Sequence, residues 1–209
     1  MSSTSDPATG RPGGARPPAW IFGVIGLLIA LLLLGTGAFI WLGGGGTASL
    51  VGGPFVLEDS NGKQVTDRAF LGKYMLVYFG YTYCPDVCPT TLNDVADALD
   101  HLGPEAAKLQ PIFITVDPKR DTPAVMKQYT AAFTPRLIGL TGTPEQIADA
   151  AKEYRVYYAE HRTGPGPGDY SMDHSSILYL MGPDGKFIAP IRADESGAQM
   201  ATDLAKLMS

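Results

Sequence analysis

The chain has 209 residues, 45% of them hydrophobic and 18% charged, with a formal net charge of −5. That composition excludes wholesale disorder and allows one domain plus an appendage, or two very small domains. From Glu58 onward 14 basic residues face 20 acidic ones, so the domain repels phosphate backbones and nucleic acid is not an expected partner.

Residues 1–18 are rich in Ser, Pro and Gly, lack apolar periodicity and read as a disordered tail. Residues 19–42 (AWIFGVIGLLIALLLLGTGAFIWL) are 24 residues without a charge. A bilayer core of about 30 Å needs about 20 apolar residues in a helix, so this segment is read as a single transmembrane helix. Trp20 and Trp41 stand near its ends, where interfacial indoles belong. Arg11 and Arg16 precede it, and no Lys or Arg follows until Lys63. The positive-inside bias therefore makes the tail cytoplasmic and the remainder periplasmic or otherwise extracytoplasmic, anchored in the inner or plasma membrane. A cleaved signal peptide is the alternative, although the apolar run is long against the usual ~7–15 residues. Residues 43–53, opening with four glycines, form a flexible tether. Residues 54–209 are the folded domain, in an oxidising compartment where cysteines tend to pair.

Within that domain, Phe55–Leu57 and Lys63–Val65 flank Asp59-Ser60-Asn61-Gly62, an opening hairpin. Met75–Phe79 (MLVYF) and Ile112–Val116 (IFITV) are continuous apolar runs, typical of strands buried on both faces. Between them, Leu92, Val95, Ala96, Leu99 and Leu102 recur at helical spacing until Gly103-Pro104. Asp121-Thr122-Pro123 starts a second helix, and Leu137–Leu140 is a short strand. Thr143-Pro144-Glu145-Gln146 is a capping box opening a third helix. The alternation of Tyr154, Val156 and Tyr158 suggests a strand, and His161–Ser171 reads as a loop. Ser176–Met181 and Lys186–Ile191 are strands joined by Gly182-Pro183-Asp184-Gly185, with Pro190 placing the second at a sheet edge or bulge. Gln199–Met208 closes the chain as a helix. Strand–helix alternation followed by a hairpin predicts an α/β fold, a mixed sheet flanked by helices.

Both cysteines lie in Gly80-Tyr81-Thr82-Tyr83-Cys84-Pro85-Asp86-Val87-Cys88-Pro89, after the first buried strand and before a helix. Open α/β folds place their sites at such junctions, and helix N-terminal amides stabilise a thiolate there. If both cysteines lie on one helical turn, their sulfurs project from one face with Cα atoms about 6 Å apart. That spacing permits a disulfide and equally permits chelation. A purely structural disulfide would close a very short loop and gain little. His174, in Tyr170-Ser171-Met172-Asp173-His174-Ser175-Ser176, lies in a loop just before the strand SILYLM, and that loop faces the cysteine loop if SILYLM neighbours MLVYF in the sheet. One imidazole beside two thiolates makes a trigonal set of two sulfurs and one nitrogen; thiolates select Cu(I), and imidazole also suits Cu(II). Asp173 is a candidate acceptor orienting that imidazole, or a solvated loop carboxylate. Asp117 is a cleft-lining candidate, Met172 a candidate soft fourth ligand, and His161 an accessory candidate; turn chemistry and packing are their plainer roles. His101 falls at a helix C-terminus.

Three ordered motifs, GYTYCPDVCP, VDPKRDTP and DHSSILYLMGPDGKF, resemble the Sco/SenC copper-chaperone family of cytochrome c oxidase assembly. The resemblance runs from about Gly53 to the C-terminus. It implies a thioredoxin-like fold and copper binding by Cys84, Cys88 and His174. It further implies that the partner is the copper-bearing subunit of cytochrome c oxidase, whose dinuclear site the protein helps to assemble. The competing reading is a thiol–disulfide oxidoreductase acting on that or another extracytoplasmic target, with Cys84 attacking and Cys88 resolving. Thioredoxin-type enzymes use CxxC, so the extra residue here speaks against it, and exchange does not need His174.

Overall fold

The computed structural model describes residues 50–209 and, nearer the N-terminus, Trp20, Gly23, residues 26–29 and residues 31–35. The latter are helical, but no helix among the described residues is long and apolar enough to cross a membrane. The predicted tail, and most of the predicted span and tether, lie outside the described residues. The chain divides into two units, residues 1–48 and 49–209, and the fold below belongs to the second.

The hairpin opens this unit: β1 (Val56–Asp59) pairs antiparallel with β2 (Gln64–Thr66). Its turn is held by Asp59, whose carboxylate accepts from the Asn61 and Lys63 amides at 2.9 Å each. The two apolar runs become β3 (Tyr74–Gly80) and β4 (Leu109–Thr115), paired in parallel at the centre of the sheet. Between them α1 (Val87–Leu102) turns Leu92, Val95 and Leu99 into the core. Then come α2 (Pro123–Ala131), β5 (Ile138–Thr141) and α3 (Pro144–Glu153). The capping box forms as read: Thr143 Oγ1 accepts from the Gln146 amide and the Gln146 side chain accepts from the Thr143 amide.

The segment after α3 departs from the sequence reading twice. Tyr154 and Val156 are not in a strand: Tyr154 closes α3, and Arg155 turns the chain with a positive φ of 57°. Alternating apolar residues at a helix end imitate a strand when the turn between them is unrecognised. Residues 161–171 are not all loop either. β6 (Tyr158–Arg162) and β7 (Tyr170–His174) pair antiparallel as a ribbon outside the main sheet, and only residues 163–169 form its tip. One face of the ribbon is solvated and its apolar pattern is sparse, so periodicity carries little signal there.

β8 (Ile177–Met181) returns beside β3, antiparallel, and β9 (Phe187–Arg192) forms the edge, with Pro190 in it. α4 (Gly197–Leu207) is capped by Ser196. The sheet order is β2-β1-β5-β4-β3-β8-β9, a mixed sheet in which β3, β4 and β8 are buried almost throughout. Because β3 and β8 run antiparallel, with Tyr78 opposite Leu178, the start of β8 lies at the C-terminal end of β3. That register brings the residues before β8 to the cysteine loop.

Candidate metal centre

β3 ends at Gly80, and the close approach there requires a glycine. A Cβ at this position would lie 2.7 Å from Cys88 Sγ and 2.8 Å from the Phe113 ring. The chain then turns, with the Cys84 amide donating to the Tyr81 carbonyl at 3.3 Å. Asp121 holds this turn in place. Its fully buried carboxylate accepts from the Thr82 amide (3.0 Å), the Thr82 hydroxyl (2.5 Å) and the Thr115 hydroxyl at the end of β4 (2.6 Å). Burial nevertheless pushes the Asp121 pKa up.

Only Cys88 is helical. Cys84 precedes α1, correcting the picture of both cysteines on one helical turn. The sulfurs still meet, because the Cys88 amide donates towards Cys84 Sγ at 3.4 Å. Asp86, at the N-cap, makes no side-chain cap, so the Cys84 sulfur takes an amide that a capping oxygen would otherwise accept. Cys88 is fully buried, Cys84 is half-buried, and both are free thiols.

His174 is the last residue of β7, and its Nε2 lies 3.4 Å from Cys88 Sγ. Its Nδ1 lies 3.2 Å from the Ser175 carbonyl, which favours Nδ1–H and leaves Nε2 for the sulfurs or a metal. The ring sits edge-on to Tyr78 and Tyr81, with centroids 6.0 Å from each. Ligand atoms of Cys84, Cys88 and His174 all fall within 4.8 Å of one another, a group that can hold a metal ion. An open cleft of about 410 Å³, lined by Cys84, Val87, Tyr157 and His174 among others, leads to it.

Electrostatics separates the two thiols. The Cys84 pKa is held down to about 3, chiefly because the Cys88 thiol donates to its sulfur; His174 and the amides of Cys88 and Asp86 add to this against the cost of burial. Cys88 is pushed well above the ordinary thiol range, because it keeps the shared proton and because it is buried. The Tyr78 hydroxyl lies 3.9 Å from Cys88 Sγ, and burial first, then the nearby cysteine, pushes its own pKa up.

The remaining candidates sort by strand alternation. Asp173 faces away from His174 and pairs instead with His161 at 2.7 Å on the exposed side of the ribbon. It therefore does not orient the His174 ring; the Ser175 carbonyl does. His161 is outside the cluster, and His101 pairs with Asp97 at 3.5 Å on the surface of α1. Met172 is buried and lines the cleft on the same strand face as His174. Asp117 is buried but contacts Arg120 and Tyr170 rather than the sulfurs. Sequence reasoning missed Asp121, Arg120, Tyr78 and Tyr170. Asp121 and Arg120 have near partners in Thr115 and Asp117, but the contacts that join them, Tyr78 and Tyr170 to other elements span 10 to 53 residues, so only the acid-and-base-rich DPKRD stretch offered a signal.

The fold and site together define a class: a thioredoxin-like domain in which a strand–helix junction and a later histidine form a two-sulfur, one-nitrogen group that can hold a metal ion. Comparison with known proteins agrees. Bradyrhizobium japonicum ScoI, solved with copper bound, superposes with a TM-score of 0.69 at 47% identity, covering 75% of this chain and 99% of that one. The human mitochondrial SCO1 homolog is 41% identical over 165 residues, 76% of this chain and 53% of the human protein. Mitochondrial SCO1 of Saccharomyces cerevisiae is 45% identical over 139 residues, 66% of this chain and 47% of the yeast protein. The chain thus spans about half the length of these curated relatives. The SCO1/SenC family model matches residues 44–209, and the chain belongs to the SCO1/SenC family.

Proposed function

We propose that the domain is a membrane-tethered copper chaperone that takes up one copper ion through Cys84, Cys88 and His174. Its cargo is destined for the dinuclear copper site of a cytochrome c oxidase subunit. Residues 54–209 are the copper-binding domain, 43–53 the tether and 19–42 a single-pass anchor, with 1–18 in the cytoplasm and the domain outside it. The observation that carries this reading is the approach of His174 Nε2 to within 3.4 Å of Cys88 Sγ, at the mouth of an open cleft. Two soft sulfurs and one imidazole suit Cu(I), and the nitrogen also accommodates Cu(II). Few ligands beside solvent let a partner's ligands replace them one at a time. Oxidation of the two thiols to a disulfide removes both thiolate ligands, so metal uptake follows the redox state of the pair. A thiol–disulfide oxidoreductase would use the same sulfurs but has no need for the imidazole against the buried one.

The test is copper stoichiometry of the reduced protein. Wild type is expected to retain one copper per chain, and His174→Ala to bind more weakly by at least the roughly 10–100-fold that loss of a mere outer partner of a ligand costs. Equal retention of Cu(I) and Cu(II) by wild type and His174→Ala would remove the histidine from the site.

A further inference from the structure

The ribbon that carries His174 lies outside the main sheet; the register of β8 on β3 brings its end to the cysteine loop, but contacts of the ribbon itself must hold the imidazole there. We infer that Arg120, with Asp117 and Tyr170, is a positioning clamp that locks this ribbon against the cysteine loop and thereby places His174. Arg120 ends the turn after β4, and its side chain is only 15% exposed. Its Nε donates to the buried Asp117 carboxylate, and its Nη1 donates to the Tyr170 carbonyl at 3.0 Å. The Tyr170 hydroxyl donates to the other Asp117 oxygen at 2.9 Å. The guanidinium also lies 3.7 Å from the Tyr170 ring centroid, 4.7 Å from that of Tyr83 and 5.8 Å from that of Tyr81. Tyr81 and Tyr83 belong to the cysteine loop, whereas Tyr170 opens β7 and His174 ends it. One cation therefore joins the two elements that supply the three ligands. Tyr170 and His174 are four positions apart on one strand, roughly 13 Å at strand rise, so gripping the first restrains the second. Tyr81 touches both ends of this linkage, packing its ring edge-on to His174.

Lysine lacks the planar fork that meets a carboxylate and a carbonyl together, so Arg120→Lys is the informative variant. Tyr170→Phe is the gentler second one, removing only the hydroxyl bond to Asp117. The first readout needs no metal. In the full-length reduced chain, the His174 ring-proton NMR shifts, set by Tyr78 and Tyr81, are expected to move towards those of a solvent-exposed histidine in Arg120→Lys. They should move part of the way in Tyr170→Phe, which serves alone if Arg120→Lys does not fold. Unchanged His174 shifts in a folded variant overturn the clamp.

The second readout rests on the copper reading above. Arg120→Lys should weaken copper binding about tenfold in the wild-type background and have no effect in a His174→Ala background, because it acts through that side chain. An equal loss in both backgrounds overturns the inference and assigns Arg120 a general structural role. If wild type takes up no copper while the ring shifts still respond, the copper reading fails and the clamp stands.

Discussion

The cysteine loop and the histidine ribbon bring their members of the candidate metal group to the same point by different physical means. The loop leaves one of the two central buried strands of the sheet and is tied down by a buried carboxylate, Asp121, that accepts three hydrogen bonds from Thr82 and Thr115. Cys88 then enters the core as part of α1. The ribbon has no place in the main sheet, and solvent reaches one of its faces. It is held through aromatic and charged groups at Tyr170 and through the Lys119–Glu160 pair, while Tyr157–Ser175 hydrogen bonds extend its own ladder beside His174. Cys88 is thus built into the core with Cys84 half-buried beside it, and His174 is brought to them by a separate arm. A site divided in this way can have its affinity changed at the arm without disturbing the thiol pair.

The largest test of that division strikes the core side. Cys84→Ser is expected to lower copper affinity by a factor on the order of 10³ or more, about 4 kcal/mol at 1.4 kcal/mol per tenfold, while leaving the fold intact. Equilibrium competition with a copper chelator and far-UV circular dichroism measure the two halves of the claim. Loss of folding would instead mark the pair as a structural element.

The second test sharpens the contrast between the two sulfurs. With its pKa near 3, Cys84 of the reduced, metal-free protein should alkylate at a rate nearly level from pH 8 down to pH 5. An ordinary thiol loses about tenfold per unit over that range. Cys88, buried and protonated, should be protected throughout. In stability terms, a depressed pKa favours the folded state above the thiol's unfolded pKa. That contribution is lost as pH falls through about 3. Mass spectrometry of iodoacetamide-treated protein across pH decides the matter, and equal labelling of both cysteines contradicts it.

A smaller effect is expected from Gly80→Ala. Its new Cβ would press on Cys88 Sγ and the Phe113 ring, costing about 1–3 kcal/mol as overpacking usually does. Copper binding should weaken through the displaced sulfur, which isothermal titration and a denaturant melt would report together. The least effect belongs far from both regions. Thr143→Ala removes the capping box of α3, a loss of about 1 kcal/mol, with copper affinity unchanged. A copper defect there would mean that the site senses global stability, and the two-part picture would fail.

The central strands were plain in the sequence, because β3 and β4 are buried on both faces and so read as unbroken apolar runs. The helix starts at Thr122 and Thr143 were equally plain, since a cap is a contact between residues three apart; the cap at Ser196 went unread. The ribbon was not: its strands are half-solvated, and Arg155 makes a left-handed turn with a residue type that gives no warning of it. Of the two readings of Asp173, the structure favours the solvated carboxylate over the acceptor orienting His174, because strand alternation sends neighbours to opposite faces once β7 exists.

By itself the sequence determined that two cysteines stand at a strand–helix junction, that a histidine precedes a later strand, and that these motifs run in the order of one family. Such features rest on neighbours along the chain and on short-range periodicity. Only the tertiary structure decided that His174 closes on Cys88 across 86 residues, that the Cys84 sulfur rather than Asp86 faces the helix amide, and that Arg120 bridges loop and ribbon. Those pairings follow from the register of β8 on β3 and from packing between distant segments, which no local pattern encodes.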